Sequence, residues 1–281
     1  HPRYAVVEKI AQGAFATVFR GRDVELNREV AIKQIHVQYL EDPHQLDRYW
    51  QEAQLIANLE HARIISIYDI VRDRGWLILE LMMGSIQQVL KGRPIDLTDL
   101  RYLLRAVAQG LQFLERNGII HGDVKPSNIL LDKNRQFRLG DFGIARRLST
   151  GEGSVVKGTA KYMAPEVVSD QFGEVGPHSD LYSLGFSAYE LMCGQNFESL
   201  FPGLNMFGRD RQVAWMMWQS APDRRLPEIH RTLQNVPADL ARIVQKLCEK
   251  DPAKRYRTAE ELLQDLDQDK AHDKQPTAEA A

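Results

Sequence analysis

The sequence predicts an α+β fold of two lobes: a small antiparallel β-sheet with one main helix comes first, and a larger, mostly α-helical lobe follows. Three observations predict it. Residues 4 to 37 hold short β-rich runs separated by glycine or charged turns. From residue 98 onward apolar residues recur at helical spacing instead. Between these regions, Met82-Met83-Gly84-Ser85 reads as a hinge.

In the first lobe, Tyr4-Ala5-Val6-Val7, Ala16-Thr17-Val18-Phe19 and Val30-Ala31-Ile32-Lys33-Gln34-Ile35 are the expected strands of a small antiparallel sheet. The main helix follows, with Leu46, Tyr49, Trp50, Ala53, Ile56 and Leu59 at helical spacing. Two more strands, Ile64 to Val71 and Trp76 to Leu81, complete the lobe. The second lobe opens with a helix over residues 98 to 117, whose stripe of Leu100, Leu103, Leu104, Val107, Leu111 and Leu114 ends at Asn117-Gly118. Leu181 to Met192 is apolar nearly all round, as a central buried helix must be. Thr258 to Glu261 has the form of a capping box opening the last helix. The expected boundaries are a single domain over 1–270, divided into an N-lobe at about 1–81, a hinge at about 82–85 and a C-lobe at about 86–270. Residues 271–281 are polar and alanine-rich, a tail or linker.

Composition excludes some functions. A chain of 281 residues that is 43% hydrophobic and 26% charged is ordinary for a globular protein, and a net charge of −2 gives no bulk attraction to nucleic acid or anionic membrane. No run reaches the roughly 18 apolar residues of a membrane span, so no membrane contact is expected in this region. Cys193 and Cys248 are the only cysteines, far apart and without metal-ligand spacing, which points to reduced thiols and a cytoplasmic setting. The chain opens on His1 with no signal peptide, which suggests one domain of a longer protein.

The chemistry begins after the first strand. Small residues in Ile10-Ala11-Gln12-Gly13-Ala14-Phe15-Ala16-Thr17-Val18 form a hairpin that lets backbone amides approach a polyanion such as a triphosphate. Lys33 lies on a predicted strand, where a cation is held rigidly enough to grip phosphate oxygens. Glu52 lies in the following helix on the same face as Ile56, placed to turn inward and fix that ammonium. Further on, His121-Gly-Asp-Val-Lys-Pro-Ser-Asn128 gathers polar residues ahead of an apolar Ile129-Leu130-Leu131 run, the pattern of a loop aimed at charge and held by a strand.

These motifs, with Gly140-Asp-Phe-Gly143, Ala164-Pro-Glu166, Ser179-Asp-Leu-Tyr-Ser-Leu-Gly185 and a late Arg255, all occur in order. The chain resembles the eukaryotic-like serine/threonine protein kinases, especially those of bacteria, over roughly residues 4 to 266. The resemblance implies a two-lobed protein kinase fold and transfer of the ATP γ-phosphate to protein serine or threonine, the chain itself included, with Mg²⁺ and with Mn²⁺ as the alternative metal. It makes Asp123 the residue that orients and deprotonates the substrate hydroxyl. Asn128 and Asp141 become metal ligands, and Lys125 steadies the transferred phosphate. Thr159 shapes the site near Asp123 for the substrate's next residue. Val18, Ala31 and Leu130 would sandwich adenine, Glu80 and Met82 would offer hinge backbone groups to its edge, and Leu79 would limit the back pocket. His121, Phe142, Ile56 and Ile67 match a structural apolar column whose base Asp180 anchors, and Glu166 and Arg255 match a buried ion pair.

The chain departs from the family at three glycine-sensitive positions. Ala11 and Ala16 stand where the first and third loop glycines are usual, so Gly13 alone remains and a poorer phosphate cradle is expected. Gly122 stands where members switched by phosphorylation carry an arginine that pairs with an activation-loop phosphate. The implication is activity that does not depend on that phosphate. Two other readings compete: a nucleotide-binding pseudokinase scaffold, which the presence of Lys33, Asp123, Asn128 and Asp141 opposes, and a small-molecule kinase with the His-Gly-Asp tripeptide, which the segment from Gly158 to Glu166 opposes. Phe197 to Trp218 is rich in aromatics and methionine, expected mainly as packing, with any exposed part a docking surface for a protein partner.

Overall fold

The computed structural model describes residues 2–13, 15–140, 160–204 and 210–272. The chain forms two compact units. The first comprises residues up to Val89 together with the stretch beginning at Ser127, and the second comprises Leu90 to Pro126 and the residues from Lys161 onward.

The first unit is built on a five-stranded antiparallel sheet of β1 (Tyr4–Gln12), β2 (Ala16–Asp23), β3 (Arg28–Ile35), β4 (Ile67–Val71) and β5 (Trp76–Leu79), in the order β1-β2-β3-β5-β4. The first three strands run further than the apolar runs alone suggest, because pairing continues through the charged residues of the hairpin ends. Tyr4, Val30, Ile32, Val71, Trp76 and Ile78 form the core, with Phe19 packed against it. The β2–β3 turn is held from outside. The buried Asp23 carboxylate accepts from the Glu25 and Leu26 amides, both at 3.2 Å, and from Arg3 at 2.9 and 3.1 Å. Helix α1 (Pro43–Ala57) buries Tyr49, Trp50, Ala53 and Ile56 as its periodicity requires. A second small antiparallel sheet joins β6 (Gly84–Ser85), which leads directly into α2 (Ile86–Leu90), with β7 (Ile129–Leu131) and β8 (Phe137–Leu139).

The second unit is helical. Its members are α3 (Leu97–Arg116), α4 (Pro165–Val168), α5 (Pro177–Cys193), α6 (Arg211–Ser220), α7 (Ile229–Thr232), α8 (Ala238–Leu247) and α9 (Ala259–His272). The Asp96 side chain accepts from the Thr98 and Asp99 amides and so caps α3, while Gly118, at φ +68°, follows its last turn. Helix α5 is buried on nearly every face, and α3 and α8 pack against it. At the start of α9 the Glu261 amide donates to the Thr258 hydroxyl at 3.2 Å. The reciprocal half of the capping box is displaced by one residue, since Glu261 accepts from the amide of Arg257 rather than Thr258. No helix among the described residues is long and apolar enough to cross a membrane.

Most of the aromatic segment after α5 is core. Phe197, Phe201, Leu204 and Trp215 are buried, and Phe197, Phe201, Trp215 and Trp218 all pack around Phe186, at centroid distances of 5.4 to 6.3 Å. Val213 and Met217 are its exposed apolar residues, and Met206 and Phe207 lie outside the described residues.

Several buried polar groups in this unit are satisfied within it. Lys250 donates to the carbonyls of Trp218 and Ala221, capping the end of α6, with its ammonium 4.0 Å from the Trp218 ring centroid. Burial pulls this ammonium down to about 7, against the opposing pull of Asp223. The two cysteines close α5 and α8, and burial pushes the Cys193 thiol up to about 11 and raises Cys248 as well.

The expected ion pair is present. Arg255 donates to Glu166 at 2.6 and 3.2 Å with both side chains fully buried, and Ser179 donates to the same carboxylate at 2.9 Å. Arg255 also donates to the carbonyls of Glu249, Lys250 and His178, so neither partner is short of hydrogen bonds. Replacing Arg255 with methionine strands a buried carboxylate and should destabilise the domain by about 3 to 5 kcal/mol. Urea unfolding of the variant measures this, and Glu166→Gln/Arg255→Met should recover much of the loss.

Candidate active site

In the first unit the expected nucleotide-facing residues fall on paired strands. Ala11 in β1 lies opposite Val18 in β2, Val18 lies opposite Lys33 in β3, and Ala31 lies opposite Leu79 in β5. Lys33 is thus fixed at the centre of a sheet, flanked on both sides by strands, and Glu52 is carried by α1. The hairpin between β1 and β2 closes on a hydrogen bond from the Gly13 amide to the Ala16 carbonyl at 2.9 Å. Neither Ala11 nor Ala16 has a positive φ, both are paired strand residues, and the Ala16 methyl is buried. The conformation at both positions is one alanine adopts freely.

The hinge leaves backbone groups available. The Glu80 amide donates to Ser66 and the Met83 amide to Leu131, while among the described residues no backbone hydrogen bond engages the Glu80 carbonyl or the Met82 amide. The Glu80 side chain is turned aside by Arg138, which donates to it at 2.8 Å and pairs with Asp132 at 3.4 Å. Sequence reading missed Arg138, since a partner 58 residues away has no local signature. Leu130, half-buried on β7, is crowded by Gly140: a Cβ built on that glycine would come within 2.7 Å of the Leu130 Cδ1 and 3.4 Å of Ile65. Asn128 is buried, and its carbonyl accepts from the Gly140 amide at 3.0 Å. Asp141, Phe142 and Thr159 lie outside the described residues, as do Arg146, Arg147 and the hydroxyls of Ser149, Thr150 and Ser154.

The second unit carries the residues expected to handle the proton. The buried Asp180 carboxylate, in the first turn of α5, accepts from two successive amides, His121 and Gly122, each at 2.8 Å. His121 is 1% exposed, and its Nδ1 accepts from the Asp123 amide at 3.1 Å, which fits a structural imidazole rather than a catalytic one. These bonds set the loop from which Asp123 projects. Lys125 Nζ lies 3.5 Å from the Asp123 Oδ2, with both side chains partly accessible. Gly122 has φ +79°, a left-handed conformation that L-residues enter at a cost of about 1 to 2 kcal/mol. An arginine introduced there would carry that strain along with its charge.

The family profile of the protein kinase domain matches residues 4–266, and the chain belongs to that family. Its relatives are serine/threonine-protein kinases of bacteria. PknL of Mycobacterium tuberculosis is 34% identical over 275 residues, which cover 94% of this chain and 65% of that one. PknB of Mycolicibacterium smegmatis is 32% identical over 277 residues, covering 94% and 42%, and PrkC of Bacillus subtilis is 30% identical over 272 residues, covering 94% and 40%. The chain thus spans less than two thirds of the length of these relatives. It is a serine/threonine-type protein kinase domain, of a family that uses ATP with a divalent metal ion.

The Gly140 contact yields a test. Gly140→Ala must push Leu130 away, and if Leu130 floors the adenine site the variant should bind ATP about threefold to tenfold more weakly, a loss in the range of one misplaced methyl group. Calorimetric titration with a non-hydrolysable ATP analogue measures it. Unchanged affinity would remove Leu130 from the adenine site.

Proposed function

We propose that this domain transfers the γ-phosphoryl group of ATP to serine and threonine hydroxyls of protein substrates, itself included, in the cytoplasm, and that it needs no phosphate on its activation segment. The observation that carries the reading is the Asp123 loop: a carboxylate fixed through its own amide by His121, on a backbone clamped by Asp180, with Lys125 beside it. Such fixing matters because the protein contributes to this reaction mainly by placing charge and reactants.

In the proposed reaction the substrate hydroxyl donates its hydrogen bond to Asp123, which takes the proton as the oxygen bonds to the γ-phosphorus and the bond to the leaving ADP oxygen breaks. Lys125 neutralises the transferring oxygens. Lys33, with Glu52 orienting it, holds the nucleotide phosphates, and Val18, Ala31, Leu130, Glu80 and Met82 hold adenine. Asn128 and Asp141 offer hard amide and carboxylate oxygens, a donor set that fits Mg²⁺ better than a softer metal. When bound, the metal neutralises phosphate charge. Independence from loop phosphorylation rests on residue 122, where no guanidinium is available to capture a phosphate.

Incubation of the purified domain with Mg²⁺ and labelled ATP should yield phosphoserine and phosphothreonine on itself and on added protein. Asp123→Asn should lower the initial rate by about 10²-fold to 10⁴-fold, the usual contribution of a positioned base, with an unchanged melting temperature. Labelling at the wild-type rate would end the assignment. The Ser149→Ala/Thr150→Ala/Ser154→Ala variant should keep most of the wild-type rate, and a collapse of that rate with nucleotide binding intact would show that a loop phosphate is required after all.

A further inference from the structure

Lys161 is engaged on every side, although it lies directly after the segment expected to receive substrate. Its Nζ donates to Glu190 at 2.5 Å and lies 3.6 Å from Glu198. The same ammonium sits 5.1 to 5.6 Å from the ring centroids of Tyr162, Phe197 and Trp215. Its carbonyl accepts from the wholly buried Gln219 at 2.6 Å. A lysine side chain held this closely gives up most of its rotamer freedom, so the carboxylates must hold it strongly.

Those carboxylates close on residues that directly follow the segment expected to receive substrate. The Tyr162 hydroxyl donates to Glu190 at 2.6 Å, and burial first, then the charge of Glu190, keep that phenol far from ionising. Burial works against the ionisation of Glu198, yet Arg211 at 2.8 Å and Lys161 outweigh it and hold its carboxyl below the usual range. With side-chain exposures of 20% and 48%, Glu190 and Glu198 would, without Lys161, keep the Tyr162 hydroxyl and Arg211 as partners and leave the charge of Glu190 without its cation. Such a carboxylate is a receptor for a substrate lysine or arginine.

We propose that Lys161 determines specificity by occupying, from within the chain, the place a basic substrate side chain would otherwise take, so that the domain phosphorylates serine and threonine without requiring a basic neighbour. This rests on the phosphotransferase reading above.

The test uses the purified domain with Mg²⁺ and ATP and a peptide set in which one arginine is walked through each position on either side of a single serine, against an all-alanine reference. The readout is the ratio of kcat/KM values, which a purely structural role for Lys161 would not move. The wild-type ratios should stay within about threefold, the scale of a screened surface pair. Lys161→Met keeps the stem against the aromatic rings and removes the charge. It should favour arginine at one or more positions by about tenfold, as a new charge-assisted hydrogen bond would, and Lys161→Met/Glu190→Gln/Glu198→Gln should lose that gain. Unaltered ratios in a folded Lys161→Met, while the peptides are still phosphorylated, would overturn this proposal alone. Should that variant fail to fold, the wild type still decides, because a strong preference for arginine in it is incompatible with an occupied acidic pair. A wild-type domain that labels no peptide overturns both readings.

Discussion

One buried carboxylate sets the geometry of the catalytic loop. The Asp180 carboxylate accepts from two consecutive peptide N–H groups. Two successive backbone N–H groups that face one carboxylate form a small anion-binding concavity. Gly122, the second donor, has φ +79°. Glycine at 122 is therefore doubly consistent: it meets the backbone requirement without strain, and it leaves out a charge. Because Asp180 sits on the helix that is buried on nearly every face, the position of Asp123 inherits the stiffness of the helical core rather than the softness of a surface loop.

Several buried polar groups of the second unit take more than one partner. Glu166 takes Arg255 and Ser179, Arg255 reaches three carbonyls besides, Gln219 links Tyr182 to Lys161, and Lys250 ties the end of α6. An apolar core would tolerate small shifts of these segments. A saturated polar network does not, since any shift strands a donor or acceptor away from water. The segment from Lys161 to Glu166 is thereby held in one register against α5 and α6.

The sequence made legible whatever depends on period and local order. Apolar spacing located α1, α3 and α5, and motif order identified Asp123, Asp180, Glu166 and Arg255 before any contact was visible. Contacts closed by tertiary structure were not legible. Arg138 beside Glu80, Arg3 beside Asp23 and Lys161 between Glu190 and Glu198 join residues whose separation carries no period, and a charged residue of this kind looks like any solvated one. The alanines of the first hairpin show a different limit. Their residue type marks a departure from the usual glycines but not the backbone it sits in, and the hairpin holds both in ordinary extended backbone. The alternative partner of Glu261 at the start of α9 shows the same limit at smaller scale, where residue types signal a cap but not which amide it takes.

The placement of the thiols has a practical side. Cys193 and Cys248 close two helices of the same core, and burial raises both thiols above their ordinary value. Only a thiolate reacts readily with maleimides or disulfide reagents, so the buried Cys193 is slow toward them in the folded domain. That thiol then works as a built-in clock: with reagent in such excess that every opening is labelled, the pace at which label accumulates on Cys193 is the pace at which the end of α5 opens, read without any added probe.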